Sequence, residues 1–522
     1  MLIFLLGSQD FAAPLSELGH EVVRCAPDPA ADIPVQGPDP DWLSVANRAA
    51  QMGLRPDAVL VCDDVGFRNL PVGLGQSEAV TACYLVDAPL NEFWQQPYAR
   101  LFDVALFDQP AQAARAVSEG VNAHWLPLGV EPKRYESNML AREEKAACFV
   151  GVVDPRVRPK RSAVLDRVRR RVELRVQGGR QGKWFATADA AYMYKTHRVV
   201  INENLFPGLT TRPLEVMAAG GFLLSEAAPG VMDRHFADFE HLLYYDHDNL
   251  DQRLSLALGD DGLRRRCMRA GREAVLGAHT LAHRADQLAK QLKHALEDTE
   301  RLAKRPDHGQ AIGLEGQALL MSALRWPGKD GRRRLLRAAA RLRQANDAGV
   351  VGLPTIRAAA VAEMALGRHD AALGLLRQAM EHGAPCDALA LTIFEKQHAG
   401  VVTQNPGLHQ LVQRHPGLAG RDGEASFHLA AAALLADHGR GMSAGFNKAR
   451  SPQPCWDALE HLLEATRLDP TLEPAWRLGG DILLDNGAPC EASMFYEKAW
   501  QLSPRRQTME RLALARQRGY LA

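Results

Sequence analysis

The chain has 522 residues, more than one hydrophobic core usually supports, and at roughly 150 residues per domain this predicts about three domains. Lysine plus arginine equals aspartate plus glutamate at 62 each, so no net field favours nucleic acid or an anionic membrane surface. The apolar start MLIFLL ends at Leu6 without a basic segment or a cleavage-like motif, and no run reaches the roughly 18 apolar residues that cross a bilayer. A cytoplasmic protein is expected, with its eight scattered cysteines reduced, since none stands at CxxC or metal-ligand spacing.

Along residues 1–135 the short apolar runs MLIFLL, EVVRC, DAVLVC, TACYLVD, VALF and NAHWLPL alternate with segments long enough for crossover helices. Their length and β-branched content are those of buried parallel strands. Gly7 and Ser8 follow the first run, and Asp87 ends the fourth. A second series, ACFVGVV, VELRVQG, RVVIN, GFLLSE and HLLYY, occupies residues 136–298, with helical residues 250–296 closing it. Two α/β Rossmann-like domains facing a cleft are therefore predicted. TERLAKRPDHG is expected to be a linker.

From residue 310 to 522 the strand pattern gives way to Ala, Leu and Arg in helical periodicity, an all-α composition. A 34-residue period is visible: Ala458, Ala465 and Pro470 recur as Ala492, Ala499 and Pro504, with Leu462 matched by Tyr496. Gly367, Ala372, Leu376 and Ala379 repeat the spacing earlier. The pattern resembles tetratricopeptide repeats, in which small residues let paired helices approach and proline ends the second helix. Gly479 departs from it by standing where leucine is usual.

The stretch NENLFPGLTTRPLEVMAAGGFLLSE, residues 202–226, carries the chemistry. Pro213 suits the first position of a helix over 213–219 that Gly220 and Gly221 end. The preceding loop leaves the carboxyl end of the strand RVVIN, the edge where open α/β sheets bind ligands, and the helix start offers free N–H groups to an anion. A sugar nucleotide needs a carboxylate for its ribose diol, cations for its diphosphate and glycine where the backbone comes close. Glu215, Arg212 and Gly151 can supply these. The competing explanation is that Glu215 only favours the helix dipole, worth less than about 1 kcal/mol. A capping box would need Ser or Thr at position 212, where arginine stands.

YKTHRVVIN, LTTRPLEVMAAGGFLLSE and GREAVLGAHTLAHRADQL together resemble the GT-B glycosyltransferases of the spore-maturation CgeB-like group, relatives of the large retaining GT-B class. CFVGVVDPRVRPKRSAVLDRV extends the resemblance upstream, and YLVDAPLNEFW and LPLGVEPKRY extend it more loosely. The resemblance implies transfer of a sugar from a nucleoside-diphosphate sugar to an acceptor hydroxyl, without metal or other cofactor. On matching positions it implies that Glu215 grips the ribose, that Arg212 and Thr211 lie beside the diphosphate and that Asn202 ends the strand beneath. It also implies that Arg161 can face phosphate and that Gly151 lets the chain turn close to the donor. Related retaining enzymes carry a second acid eight positions before the glutamate; here that position is Pro207, which leaves the stereochemical outcome open, and Glu203 does not match its spacing.

An inverting enzyme needs a base for the acceptor hydroxyl, for which Asp87 is the candidate, against a plain N-cap role ahead of Pro89. His197 and His235 have no partner at metal-ligand spacing. A concave repeat array suits an extended peptide, so the expected acceptor is Ser or Thr of a protein recruited by residues 310–522. The rival expectation is a non-catalytic scaffold with a degenerate GT-B core, supported by Pro207.

Overall fold

The structure is a computed structural model. It describes residues 1–366 apart from 38, 64–68, 137–144, 154–158, 179–186, 205, 207, 326–328 and 350–352, residues 470–519 apart from 486 and 487, and isolated positions between 368 and 467. The chain divides into two compact units, residues 1–89 with 102–305 and residues 90–101 with 306–522.

The first unit holds two parallel sheets. One is formed by β1 (Leu2–Gly7), β2 (Glu21–Ala26), β3 (Ile33–Pro34), β4 (Ala58–Cys62), β5 (Val80–Leu85), β6 (Val104–Phe107) and β7 (Ala123–Trp125), in the order β3-β2-β1-β4-β5-β6-β7. Every residue of β4, β5 and β6 is buried, which is why these runs are apolar without alternation. The order reverses direction between β1 and β4, which stay paired to Gly7 and Cys62, so the chain leaves them toward opposite edges of the sheet. Its connecting helices include α1 (Ala12–Glu17), α2 (Trp42–Gln51) and α4 (Pro110–Ser118), whereas α3 (Ala88–Ala99) falls from residue 90 in the second unit.

The second sheet comprises β8 (Lys145–Val150), β9 (Leu174–Gln177), β10 (His197–Asn202), β11 (Leu223–Glu226) and β12 (Leu243–Tyr245), in the order β12-β11-β10-β8-β9. Here the order reverses between β8 and β10. Cys148 and Val150 face a core shared with α6 (Thr187–Thr196) and α7 (Thr211–Ala219). Ala147 and Phe149 face the opposite core, built with α5 (Pro159–Arg169), α8 (Leu250–Gly259) and α9 (Asp261–Ala278). This alternation buries both faces of the strand.

The last long helix of this unit, α10 (Leu281–Glu297), differs from the expectation that residues 250–296 close the second domain. Its stripe Ala285, Leu288, Ala289, Leu292 and Ala295 is buried against Ile3, Leu60 and Ala82 of the first sheet. Helical periodicity reveals such a stripe but does not say which sheet receives it. The chain crosses back where Val130 N donates to His279 O (3.0 Å) and Leu281 N donates to Val130 O (2.9 Å). Arg284 is buried at this crossing and donates to Leu128 O and Ala278 O, and its Nη2 to His279 Nδ1 at 2.8 Å. Burial first, then the Arg284 charge, hold the His279 imidazole down at about 3. Beyond α11 (Arg301–Lys304), Arg305 forms a 2.5 Å ion pair with the buried Asp103. The start of the expected linker is thus fastened to the first sheet.

The second unit is helical where described: α12 (His308–Arg325), α13 (Lys329–Asp347), α14 (Leu353–Ala365), α15 (Glu473–Asp485), α16 (Pro489–Leu502) and α17 (Arg506–Gly519). Leu462, Ala465, Ala492, Tyr496 and Ala499 are all buried, as their periodic spacing requires. The departure at Gly479 has a steric reason. A Cβ there would stand 2.5 Å from the Phe495 ring, and one at Gly480 2.7 Å from Tyr496, so leucine has no room. Gly367, Leu376, Ala379 and Ala458 lie outside the described residues. Among the described residues no helix is long and apolar enough to cross a membrane, and the six described cysteines are free thiols.

Two outcomes are expected. Leu288→Ala destabilises the first unit by about 2–5 kcal/mol in urea unfolding, because α10 belongs to the first core. A histidine held below its unfolded value contributes stability that is complete above about pH 6.5 and is lost as the pH falls toward 3. Wild type therefore loses more stability between pH 7 and pH 4 than His279→Gln does, whereas equal losses would contradict the assignment.

Candidate active site

β8 and β10 part at their carboxyl ends, and Arg212 lies across the gap. Its Nε donates to Val150 O at 2.9 Å and its Nη1 to Asn202 Oδ1 at 2.8 Å, so one guanidinium bonds the last residue of each strand. The Phe149 ring lies under it, 4.6 Å from Cζ to centroid. Gly151 makes room, for at φ 145° its absent Cβ would stand 2.7 Å from Arg212 Nη2. Among the described residues no carboxylate lies within ion-pair distance of Arg212.

Arg212 is the second residue of α7, which starts at Thr211, two residues earlier than Pro213 suggests, and ends at Gly220 in the left-handed region. Thr210 occupies the N-cap without a side-chain capping bond, and Thr211 is exposed. The N–H groups of the first turn are thus left without a capping side chain beside a cation. One turn on, Glu215 is half-buried. Tyr194 Oη donates to its Oε2 at 3.1 Å, and the Tyr135 phenol lies close enough to feel this carboxylate's charge. Burial, then the Glu215 charge, raise both phenols above the usual tyrosine range, so both remain donors. Glu215 is held by the Tyr194 hydroxyl, and among the described residues no cation forms an ion pair with it.

Asn202 is fully buried beneath the loop, and its Nδ2 donates to Asn204 Oδ1 and Ser225 Oγ, both at 2.9 Å. Arg161 takes another position than a cation open to ligand. It is 7 % exposed, with Nε donating to Glu203 Oε2 at 2.8 Å and Nη1 to Val152 O at 3.1 Å. Glu203 is 3 % exposed and committed to this pair. Arg161 and Arg212 share the Phe149 ring, so the buried pair supports the guanidinium above it. Pro207 lies outside the described residues.

In the first sheet, Gly7 has φ 90° and an added Cβ would stand 2.1 Å from Cys62 O, so the gap between β1 and β4 closes only around glycine. Ser8 Oγ lies 3.2 Å from Asp10 Oδ2. Asp87 follows β5 with φ 50°, a left-handed value uncommon outside glycine. Sequence reasoning missed what holds it there: the buried Asp108 accepts the N–H groups of Asp87 (2.9 Å) and Ala88 (3.1 Å). It also missed Tyr194 on Glu215 and Tyr135 nearby. The available signals were an acid directly after an all-buried strand and tyrosines near the specific stretch. His197 is buried with Nδ1 2.9 Å from Met193 O, and His235 stands edge-on to His279. Among the described residues no cluster of His, Cys, Asp or Glu is arranged to hold a metal ion.

Residues 158–290, which include Arg161, Asn202, Arg212 and Glu215, match a family model described as glycosyl transferase-like. Comparison with curated proteins found no match. Among solved structures, a glycosyltransferase from Rickettsia africae ESF-5 is 10% identical over 57% of this chain and 99% of its own, with a TM-score of 0.40. Anabaena Alr3699/HepE in complex with UDP is 12% identical over 56% and 99%, with a TM-score of 0.41. AviGT4, a glycosyltransferase involved in avilamycin A biosynthesis, is 16% identical over 57% and 99%, with a TM-score of 0.36. Scores this low carry no weight beside the strand orders and contacts above.

Glu203→Ala removes the carboxylate from a buried guanidinium and is expected to cost about 3–5 kcal/mol of folding stability. A Glu203→Ala protein as stable as wild type in urea would show that Glu203 is not part of this support.

Proposed function

We propose that the chain is a glycosyltransferase whose nucleoside-diphosphate sugar binds at the carboxyl edge of the second sheet. The observation that carries this is Arg212, a half-buried residue without a described carboxylate partner, set across the strand-order reversal beside the first turn of α7. Diphosphate is the leaving group of such a reaction and gains charge as the anomeric bond breaks. Fixed donors aimed at that charge lower the barrier because they need no reorganisation. Arg212, the hydroxyl of Thr211 and the N–H groups of α7 are such donors. Glu215, oriented by the Tyr194 phenol, keeps acceptor capacity for the ribose diol. Gly151 allows the backbone to approach, and Asn202 fixes Arg212 from below. Arg161 acts through this arrangement rather than as a direct phosphate ligand.

In this reading Asp87 at the edge of the first sheet takes the acceptor proton, and no divalent metal or cofactor is required because the cation is already part of the chain. We further infer that the second unit recruits a protein acceptor modified on Ser or Thr, through tetratricopeptide-like repeats. The CgeB-like assignment and the GT-B class belong to the same reading.

Calorimetric titration with UDP-, GDP- and CDP-sugars, followed by a hydrolysis assay, tests the donor site. Wild type binds one of them and releases its diphosphate slowly, and EDTA leaves the rate unchanged. Arg212→Ala lowers turnover about 10²-fold or more, and Glu215→Ala weakens binding about tenfold, equivalent to about 1.4 kcal/mol. Variants that fold and turn over at the wild-type rate would refute the site. An acceptor panel of Ser/Thr peptides and free sugars tests recruitment, and label passing to sugars alone would contradict it. One observation favours a second reading, a non-catalytic scaffold. Glu203 is bound to Arg161 and cannot take the place of the acid that Pro207 displaces. Failure of every nucleotide sugar to bind would favour that reading.

A further inference from the structure

β6 ends in a pair that the donor site does not use, Asp108 and Gln109. Both are almost wholly buried. The Asp108 carboxylate closes the Asp87 turn through the two N–H bonds given above, and the Trp125 indole N–H donates to Asp108 O at 3.1 Å. Gln109 Nε2 lies 3.3 Å from Asp108 Oδ2 and donates at 2.9 Å to Leu209 O, the carbonyl just before Thr210, the N-cap of α7. Gly208 completes the fit. A Cβ at this position would stand 2.4 Å from Gln109 Oε1, so any larger residue displaces the amide.

Folding alone does not call for this arrangement. Burial and the neighbouring Asp87 charge push the Asp108 carboxyl up to about 7, so a carboxylate here carries a desolvation cost that the bonds it accepts must offset. A left-handed turn at a residue other than glycine adds to that cost. Both costs fall at the carboxyl edge of the first sheet, and both are tied to the loop that leads into the donor helix. Strain held at such an edge is a mark of a working site.

We infer that Asp108 and Gln109 are a positioning pair: Asp108 sets the turn that presents Asp87, and Gln109 ties that turn to the start of α7, keeping the acceptor edge and the donor edge in register. The inference rests on the glycosyltransferase reading for its consequence in turnover, but not for the physical tie. Neither residue touches substrate. Each acts through a neighbour, Asp108 through Asp87 and Gln109 through Leu209.

The two levels are tested separately. Amide hydrogen exchange is measured on wild type and Gly208→Ala, a mild substitution at an ordinary φ that pushes Gln109 away. Exchange at Asp87 and Ala88 is expected to rise about tenfold although the substitution lies in the other sheet's loop. Unchanged protection at both amides in a folded variant would overturn the tie, whatever the protein's activity.

The second measurement is hydrolysis of UDP-glucose and GDP-mannose by wild type, Asp108→Asn and Gly208→Ala, with calorimetric binding of UDP and GDP. Asparagine keeps the shape of Asp108 but can accept only one of the two N–H groups. The variants are expected to bind the nucleotide within twofold of wild type while kcat falls at least tenfold for Asp108→Asn and severalfold for Gly208→Ala, with KM for the donor little changed. Wild-type kcat in both folded variants, or a parallel loss of nucleotide binding and kcat, would overturn the positioning role. A wild type that binds neither nucleotide and hydrolyses neither sugar nucleotide counts against the glycosyltransferase reading, and overturns the consequence in turnover with it, while the exchange result still decides the tie.

Discussion

A guanidinium held by two neutral oxygens governs the second sheet's carboxyl edge. Arg212 bonds the carbonyl of Val150 and the amide oxygen of Asn202. Neither bond cancels its charge, and the Phe149 ring beneath it cannot do so either. The surrounding features follow from holding a positive charge in that place. The strand order must reverse between β8 and β10 to leave a gap wide enough. Gly151 must lack a Cβ for the side chain to lie flat. α7 must begin at the same level, so that its dipole adds to the charge and carries Glu215 one turn further. Arg161, paired with its own carboxylate, packs against the same ring.

Much of this was legible in the sequence. The two series of apolar runs correspond to two parallel sheets, because strands buried on both faces carry no polar alternation. The helix that Gly220 and Gly221 end is where the punctuation puts it, with its start displaced by one half-turn. Arg212, Glu215, Asn202 and Gly151 come together at one edge, since strand end, loop and helix start are fixed by local order. What could not be read was long-range. The apolar stripe of α10 fits either sheet equally well by periodicity, and only the crossing at Val130 and His279 decides for the first. Arg161 is expected to face phosphate, yet Glu203, 42 positions away, draws it inside. Nothing local marked Asp108 as the acceptor of two N–H groups, and nothing local marked Tyr194 as the donor to Glu215.

Buried polar groups cluster where the first unit's chain passes from one sheet to the other or leaves it. Arg284 serves the return crossing, Arg305 and Asp103 serve the exit, and Gln109 joins the two sheet edges. Such groups are poor sources of stability once desolvation is counted, and their value lies in selecting one arrangement among several of similar burial. Two α/β halves with interchangeable apolar faces need that selection. In the second unit the same task falls to steric fit, with Gly479 and Gly480 receiving the rings of Phe495 and Tyr496 where a larger residue would hold the helices apart.

The most direct measurement is a crystal structure of the protein with a nucleoside diphosphate bound. The account predicts the two phosphates within hydrogen-bond reach of Arg212 and the first-turn N–H groups of α7, and the ribose diol on the Glu215 carboxylate with both phenols still in place. A ligand bound away from this edge, or a bound complex in which Arg212 keeps both present bonds and touches no phosphate, would contradict it.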